Sequence, residues 1–220
     1  LKNILKYWIR SKNEDLKVIP TDSIVMKVDK EAVRRSGMMI PGDSIPDYMH
    51  ISLKGKRALY KSELMMLEML ANANWERPIY MAITVGSENH LGMGNHFTQE
   101  GLAYRFTPFD TDKLDSKIDS EKMYDNLMNK FKFGGIDKPG IYIDENVMRM
   151  CYTHRRIFTQ LVGQLIKEGK KDKALAALDY AEKMIPAINV PYDWANGAFQ
   201  MAESYYQPVS YTHLRAHETC

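Results

Sequence analysis

The stretch Lys61–Val85, KSELMMLEMLANANWERPIYMAITV, decides the fold. It reads as an amphipathic helix, a short polar turn and a buried strand. Tyr60, Leu64, Leu67 and Ala71 repeat at the three-to-four spacing of one helix face, and Met66, Leu70 and Ala73 widen that face. Ser62 can cap the helix and Glu63 suits its positive end. Asn72 and Asn74 end it. Pro78 fits the first position of a strand, where its missing N–H costs least. Ile79–Val85 is almost wholly apolar, as in a strand covered on both faces. Ile79, Met81 and Ile83 are therefore expected to be buried, with Leu64, Leu67 and Leu70 packed against them. The implied class is α/β, with α+β as the alternative: a small, partly parallel sheet with flanking helices.

Upstream, Leu1–Arg10 reads as a short helix with Leu1, Ile4, Leu5 and Trp8 on one side. Lys17–Val28 reads as an extended segment interrupted at Pro20. Asp29 can cap the short helix KEAVRRSG, which Gly37 closes. MMIPGDSIPDYMH, with its prolines and Pro-Gly, is a loop running into a strand over Tyr48–Leu53. Downstream, GSENHLGMGNHFTQEG is expected to be a loop at the C-terminal end of a strand, the place where open α/β sheets bind ligands. Gly101–Phe109 is a second strand candidate and Asp110–Asp119 a charged linker. Ser120–Phe131 reads as a helix with Met123, Leu127 and Met128 inward, stopped by Gly134 and Gly135. From Asp144 every apolar residue falls on a helical period, giving three helices broken at Gly169 and Pro186. The expected organisation is an α/β domain over 1–143 and a helical block over 144–207.

With 45% hydrophobic residues among 220 the chain can bury a real core, and its net charge of +2 lacks the clustered basic excess of a nucleic-acid footprint. No apolar run is long enough to span a bilayer, so no membrane span is expected within this sequence. The start has lysines throughout and too short an apolar core for a signal peptide, and the sequence reads as a fragment. Two cysteines, Cys151 and Cys220, make no disulfide framework and no metal-ligand spacing.

The residues point to no catalytic constellation, no metal site and no cofactor. His90 and His96, near Glu88 and Glu100, match no standard zinc or iron spacing. Gly92 and Gly94 are not part of a nucleotide-binding fingerprint. Cys151, among Met148, Met150 and Tyr152, reads as a buried thiol without an activating base. His154, Arg155 and Arg156 form one short basic cluster, which reads as a solvated helix face. Glu121 with Asp125, and Asp144 with Glu145, suit helix N-termini better than acid–base work. The best binding candidates are Trp75, Arg77 and Tyr80, an aromatic beside a guanidinium and a tyrosine that can stack on and hydrogen-bond a sugar or peptide. Glu100, Tyr104 and Arg105 complete the candidate set. The structural alternative is that Trp75 fills the helix–strand corner and Arg77 pairs with Glu76 or Glu100.

Three resemblances sharpen this reading. Arg155–Pro186 resembles a tetratricopeptide repeat: Phe158, Leu161 and Leu165 fall on the large positions of its first helix, and Ala174, Leu178, Ala181 and Pro186 on the corresponding positions of its second. Val162 departs from the pattern, standing where a small residue is usual, with Gly163 one place late. A further first helix fits Ala198, Met201, Ala202 and Tyr205. An ordinary helical hairpin is the alternative, since stacked repeats need about three units. The ending PVSYTHLRAHETC, residues 208–220, resembles the translated adapter read-through that recurs on unrelated metagenomic reading frames, and is expected to be non-native; His213 and His217 go with it.

The third resemblance is the widest. IPTDSIVMKVDKEAV, MHISLKGKRALYKSELMMLEMLANANWERPIYMAITVG, EGLAYRFTPF, MYDNLMNKFKFGG and IDENVMRMC are similar to the C-terminal region of a bacterial multi-pass membrane protein family, with NWERPIY the most specific piece. The N-terminal part of that family resembles the protein O-mannosyltransferases, GT-C glycosyltransferases that use lipid-linked sugar donors. The resemblance runs from about Ile19 to Tyr206. It implies that residues 1–15 connect to a membrane part, and that the parent is membrane-bound with this portion on the periplasmic, extracytoplasmic side. It implies two partners, the membrane-embedded remainder of the same chain and an acceptor polypeptide. The family's catalytic acid lies in an early loop between membrane helices, so no catalytic residue carries over. The expected role is non-catalytic support of the enzyme or positioning of its acceptor; the alternative is a non-enzymatic peptide-binding module using the helical end.

Overall fold

The computed structural model describes residues 21–42, 44–56, 58–192 and 198–206. The helix expected over Leu1–Arg10, the start of the Lys17–Val28 segment and the tail over 208–220 lie outside them. Contacts divide the chain into two compact units: residues up to 99 with 103–117, and 100–102 with 118 onward.

In the first unit, strand β1 (Ser23–Lys27) is followed by helix α1 (Lys30–Arg35) and strand β2 (Tyr48–Ser52). Asp29 caps α1 as expected, its Oδ1 accepting the Ala32 N–H at 3.0 Å, and Gly37 leaves the helix at φ +66°. β1 and β2 pair antiparallel with Val25 opposite His50 and Lys27 opposite Tyr48. Their inward residues, Ile24, Met49 and Ile51, are buried while Val25, Lys27 and Tyr48 face out, the period-two alternation of a half-covered sheet.

Helix α2 (Lys61–Ala73) occupies the predicted stretch. Its N-cap is Tyr60, not Ser62. Glu63, three residues into the helix, reaches back to accept the Tyr60 N–H at 2.8 Å and pairs with Lys56, so its buried carboxylate already serves the end that Ser62 would have capped. Leu67 and Leu70 are buried and Leu64 half-buried. Asn74 ends the helix in the left-handed region at φ 44°, and Trp75 follows at φ 66°.

A second sheet has the order β3-β5-β4, from β3 (Tyr80–Ala82), β4 (Phe97–Gln99) and β5 (Ala103–Phe106), with both pairings antiparallel. The mixture of small sheets and flanking helices is as expected; the strand direction is not, since among the described residues every pairing is antiparallel where a partly parallel sheet was expected. β3 is also shorter than read. It is a three-residue edge strand, and Val85 N–H closes a turn on the Ala82 carbonyl at 3.0 Å. Ile79, Met81 and Ile83 are accordingly half-buried, because an edge strand at the rim is covered on one side only.

The glycine-rich stretch 86–101, which follows β3, is not loop throughout. It makes two short 3₁₀ turns, buries Leu91 and Met93, and then becomes β4. Gly92, at φ +68°, passes so close to β2 that a Cβ there would sit 2.8 Å from the Ser52 carbonyl oxygen.

The second unit is helical. Asp119 caps α3 (Ser120–Asp125), which runs on as one π-turn over Asn126–Lys130 with Met123 and Leu127 buried. Helices α4 (Glu145–Lys167) and α5 (Lys171–Met184) form a hairpin, and α6 (Ala198–Tyr206) packs against α4. Phe158, Leu161 and Leu165 on α4 meet the small Ala174, Ala177 and Ala181 of α5, all fully buried. Residues 118–143, grouped on sequence with the α/β part, belong by contact to this unit: Phe133 stacks on Phe158 at 6.4 Å, and Ser120 Oγ donates to Glu168 Oε2 at 2.7 Å.

Leu67 is fully buried in the first unit's core. Leu67→Ala is expected to cost about 2–5 kcal/mol, read as a lowered urea midpoint at unchanged m-value.

Candidate functional site

The five candidates of the first unit, Trp75, Arg77, Tyr80, Tyr104 and Arg105, do not converge on one face. Trp75, swung inward by the left-handed pair at the end of α2, is 7% exposed. Its Nε1–H donates to the Lys27 carbonyl oxygen at 3.0 Å, and its ring stacks on Phe106 at 5.4 Å with planes 10° apart. The crevice between Trp75, Arg77, Ile79 and Phe106 holds about 10 Å³, the space of a single water. Trp75 thus fills the corner between helix and strand, while Arg77 is exposed at its edge.

Tyr80 and Arg105 do come together. They are opposite each other on β3 and β5, and the Arg105 guanidinium lies 5.8 Å from the Tyr80 ring centroid. Arg105 is buried and its Nη2–H donates to the Ser36 carbonyl at 2.7 Å, so it braces the tyrosine from below while the ring stays 47% exposed. Strand alternation puts Met81, Tyr104 and Phe106 on the other face, where Tyr104 packs with Phe97 and His90. Trp75 and Tyr80 therefore serve opposite faces of one sheet. Glu100 belongs to the second unit, where its buried carboxylate accepts from Lys122 Nζ at 3.3 Å and its carbonyl from Asn126 Nδ2 at 2.7 Å.

The remaining titratable candidates are engaged in packing. His90 sits edge-on to Phe97 with Nε2 3.3 Å from the Val85 carbonyl. His96 is buried with Nδ1 2.9 Å from the Phe109 carbonyl, which fixes the proton on that nitrogen. Burial pushes the Cys151 thiol up, away from the thiolate a nucleophile needs. Arg155, read as part of a solvated face, is instead buried. It donates to the carbonyls of Ile185 at 2.8 Å and Pro191 at 3.1 Å, and lies 4.5 Å from the Tyr192 ring centroid. Glu121 is held below the usual carboxylate range by Lys170 and Lys173 at 2.6 and 2.7 Å, an ion-pair role at the hairpin turn.

A wider open space in the first unit lies elsewhere. A groove of about 770 Å³ opens where β1 ends, α1 and β2 begin and α2 stops, lined by Lys27, Asp29, Lys30, Asp47, Tyr48 and Asn74 among others. Sequence reading passed over these residues as caps and loop ends. The cross-strand register that sets Tyr48 beside Lys27 has no local signature in the chain.

A family model described as TMEM260-associated domain 2 matches residues 2–123. The chain belongs to that family. The TMEM260-associated match takes in the first unit and ends within α3, and it fits a segment of a TMEM260-like membrane protein. No curated protein and no solved structure matches the chain. Among the described residues of this family member no helix is long and apolar enough to cross a membrane, and no group of three or more His, Cys, Asp or Glu side chains is placed to hold a metal ion.

Burial holds the His96 imidazole below its ordinary value, outweighing the Phe109 carbonyl and the Asp110 carboxylate, which favour protonation. The unfolded chain takes up this proton near pH 6.5 and the folded chain only at lower pH, so the unfolded state binds more protons just below that value. Stability is expected to be full above about pH 6.5 and to fall as pH drops towards the folded pKa. Urea midpoints at about pH 7.5 and 5.5 should show a smaller loss for His96→Asn than for the parent sequence.

Proposed function

We propose that this chain is the water-exposed, extracytoplasmic portion of a membrane-bound, protein O-mannosyltransferase-like glycosyltransferase. By itself it is non-catalytic. It braces the membrane-embedded remainder of its chain or positions an acceptor polypeptide. The observation that carries this reading is the TMEM260-associated match over residues 2–123, to which is added the resemblance of the NWERPIY region to the C-terminal part of a bacterial membrane protein family whose N-terminal part resembles the O-mannosyltransferases. The geometry supports a scaffolding role: the NWERPIY tryptophan is committed to a packed corner and its tyrosine to an arginine-braced edge. The test is transfer of a hexose from a lipid-phosphate donor to protein acceptors by the full-length parent, with and without this region. The expected result is transfer by the parent and loss or misdirection without the region. A parent that transfers to no protein acceptor overturns the reading.

The second unit favours a second reading, capture of a peptide by tetratricopeptide-like helices. Val147, Met150, Cys151 and His154 form one stripe of α4 and, with Phe133 and Ile185, line an apolar groove of about 320 Å³. A helix stripe of this kind accommodates apolar anchors of a bound segment. Deletion of residues 144–207, which takes in both the α4 stripe and the repeat-like helices, is expected to remove bound partners of the parent in a pull-down, and an unchanged partner set excludes these helices as the binding surface.

A further inference from the structure

The groove between β1, α1, β2 and the end of α2 has the chemistry of a glycan site. Its walls are fixed before any ligand arrives. Val28 N–H donates to the Asp47 carbonyl at 2.9 Å, Lys30 Nζ pairs with Asp47 Oδ1 at 2.7 Å, and Trp75 holds the Lys27 carbonyl at 3.0 Å. Its volume of about 770 Å³ falls in the size range of small-molecule sites, roughly 300–1,000 Å³.

The lining selects the ligand class. Two lysines face three carboxylates, and one of these, Glu31, is paired with Arg34 at 2.7 Å, which leaves no net charge for an anion or a cation to match. Val28 and Tyr48 are the only large apolar contributions, too little to hold a lipid or an aliphatic segment. What remains is a dense set of acceptors and donors around one flat ring. Asp29 spends one carboxylate oxygen on the α1 cap, and the Asn74 amide is carried on an exposed left-handed residue. Tyr48, 56% exposed, lies beside Lys27 on the outer face of the β1–β2 pair. An exposed tyrosine offers a flat apolar face with a polar rim, the match for a pyranose ring whose C–H face is apolar and whose edge is ringed with hydroxyls.

We propose that this groove binds a neutral glycan of one or two sugar units, with Tyr48 as the stacking platform and Asp29, Asp47 and Asn74 as its hydroxyl partners. The assignment stands on the groove alone and does not require the parent to transfer sugar, so either reading can fail without the other.

The test is an amide-shift titration of the whole 220-residue chain with methyl glycosides of mannose, glucose and galactose and with diacetylchitobiose, and separately with inorganic phosphate. The expected result is saturable millimolar binding of at least one sugar, with shifts centred on residues 27–31, 47–48 and 74. Tyr48→Ala, at an exposed position that leaves the fold intact by thermal melt, is expected to weaken binding by about tenfold or more. Tyr48→Phe, which keeps the ring, should restore most of it, and Tyr142→Ala on the second unit should change nothing. Absence of saturable shifts with every sugar, shifts centred elsewhere, stronger binding of phosphate at the same amides, or unchanged binding by Tyr48→Ala each overturns the proposal.

Discussion

The indole of Trp75 is the contact on which the first unit depends. Two consecutive residues in the left-handed region, Asn74 and Trp75, cost about 1–2 kcal/mol each for ordinary side chains, less for the asparagine. Full burial of a large side chain recovers about 1.5–3 kcal/mol, the stack on Phe106 about 0.5–1.5 more, and the hydrogen bond to Lys27 a similar amount. The favourable terms exceed the backbone strain, so the chain turns in instead of running on. One ring then ties the end of α2 to β5 by stacking and to β1 by a hydrogen bond, across sequence separations no local element could bridge. Phe97, Tyr104 and His90 continue the aromatic layer behind it.

The second unit solves the same problem with charge. Lys170 at the hairpin turn meets Glu121 and Glu168, each at 2.6 Å, and Lys173 meets Glu121 at 2.7 Å. Exposed pairs of this kind contribute little each, about 0–1 kcal/mol, so their use is to fix where α3 lies along the hairpin. The stabilisation comes from the alanine face of α5, which lets Phe158 and the leucines of α4 approach closely.

The helices were legible because their signal is periodic and long. The period in Lys61–Ala73 and the caps at Asp29 and Gly37 name their elements before any tertiary contact is known. Strand direction was not legible, since an apolar run such as Ile79–Val85 carries no mark of what it pairs with, and the turn at Val85 depends on Ala82 presenting its carbonyl. β4 was missed because three residues following Gly92 and Gly94 look like loop until β5 exists to pair with them. Among site candidates, NWERPIY places Trp75 and Tyr80 close in sequence, but position in sequence could not say that a sheet would separate them. Arg155 misled for a related reason. Beside His154 and Arg156 it looks solvated, and only the return of the chain past Ile185 gives its guanidinium carbonyls to hold.

That guanidinium touches its loop almost wholly through the main chain. Every carbonyl oxygen it holds, at Ile185, Val190 and Pro191, is one that any amino acid would supply. The anchor itself is indifferent to which side chains stand at 185, 190 and 191, although packing is not: Ile185 and Val190 are buried, and the Asn189 amide donates to the Ile136 and Lys138 carbonyls. Position 155 has no such latitude, because lysine lacks the planar fork that reaches several oxygens at once. One side chain on α4 thus sets where seven residues of loop, 185–191, close back on the helix.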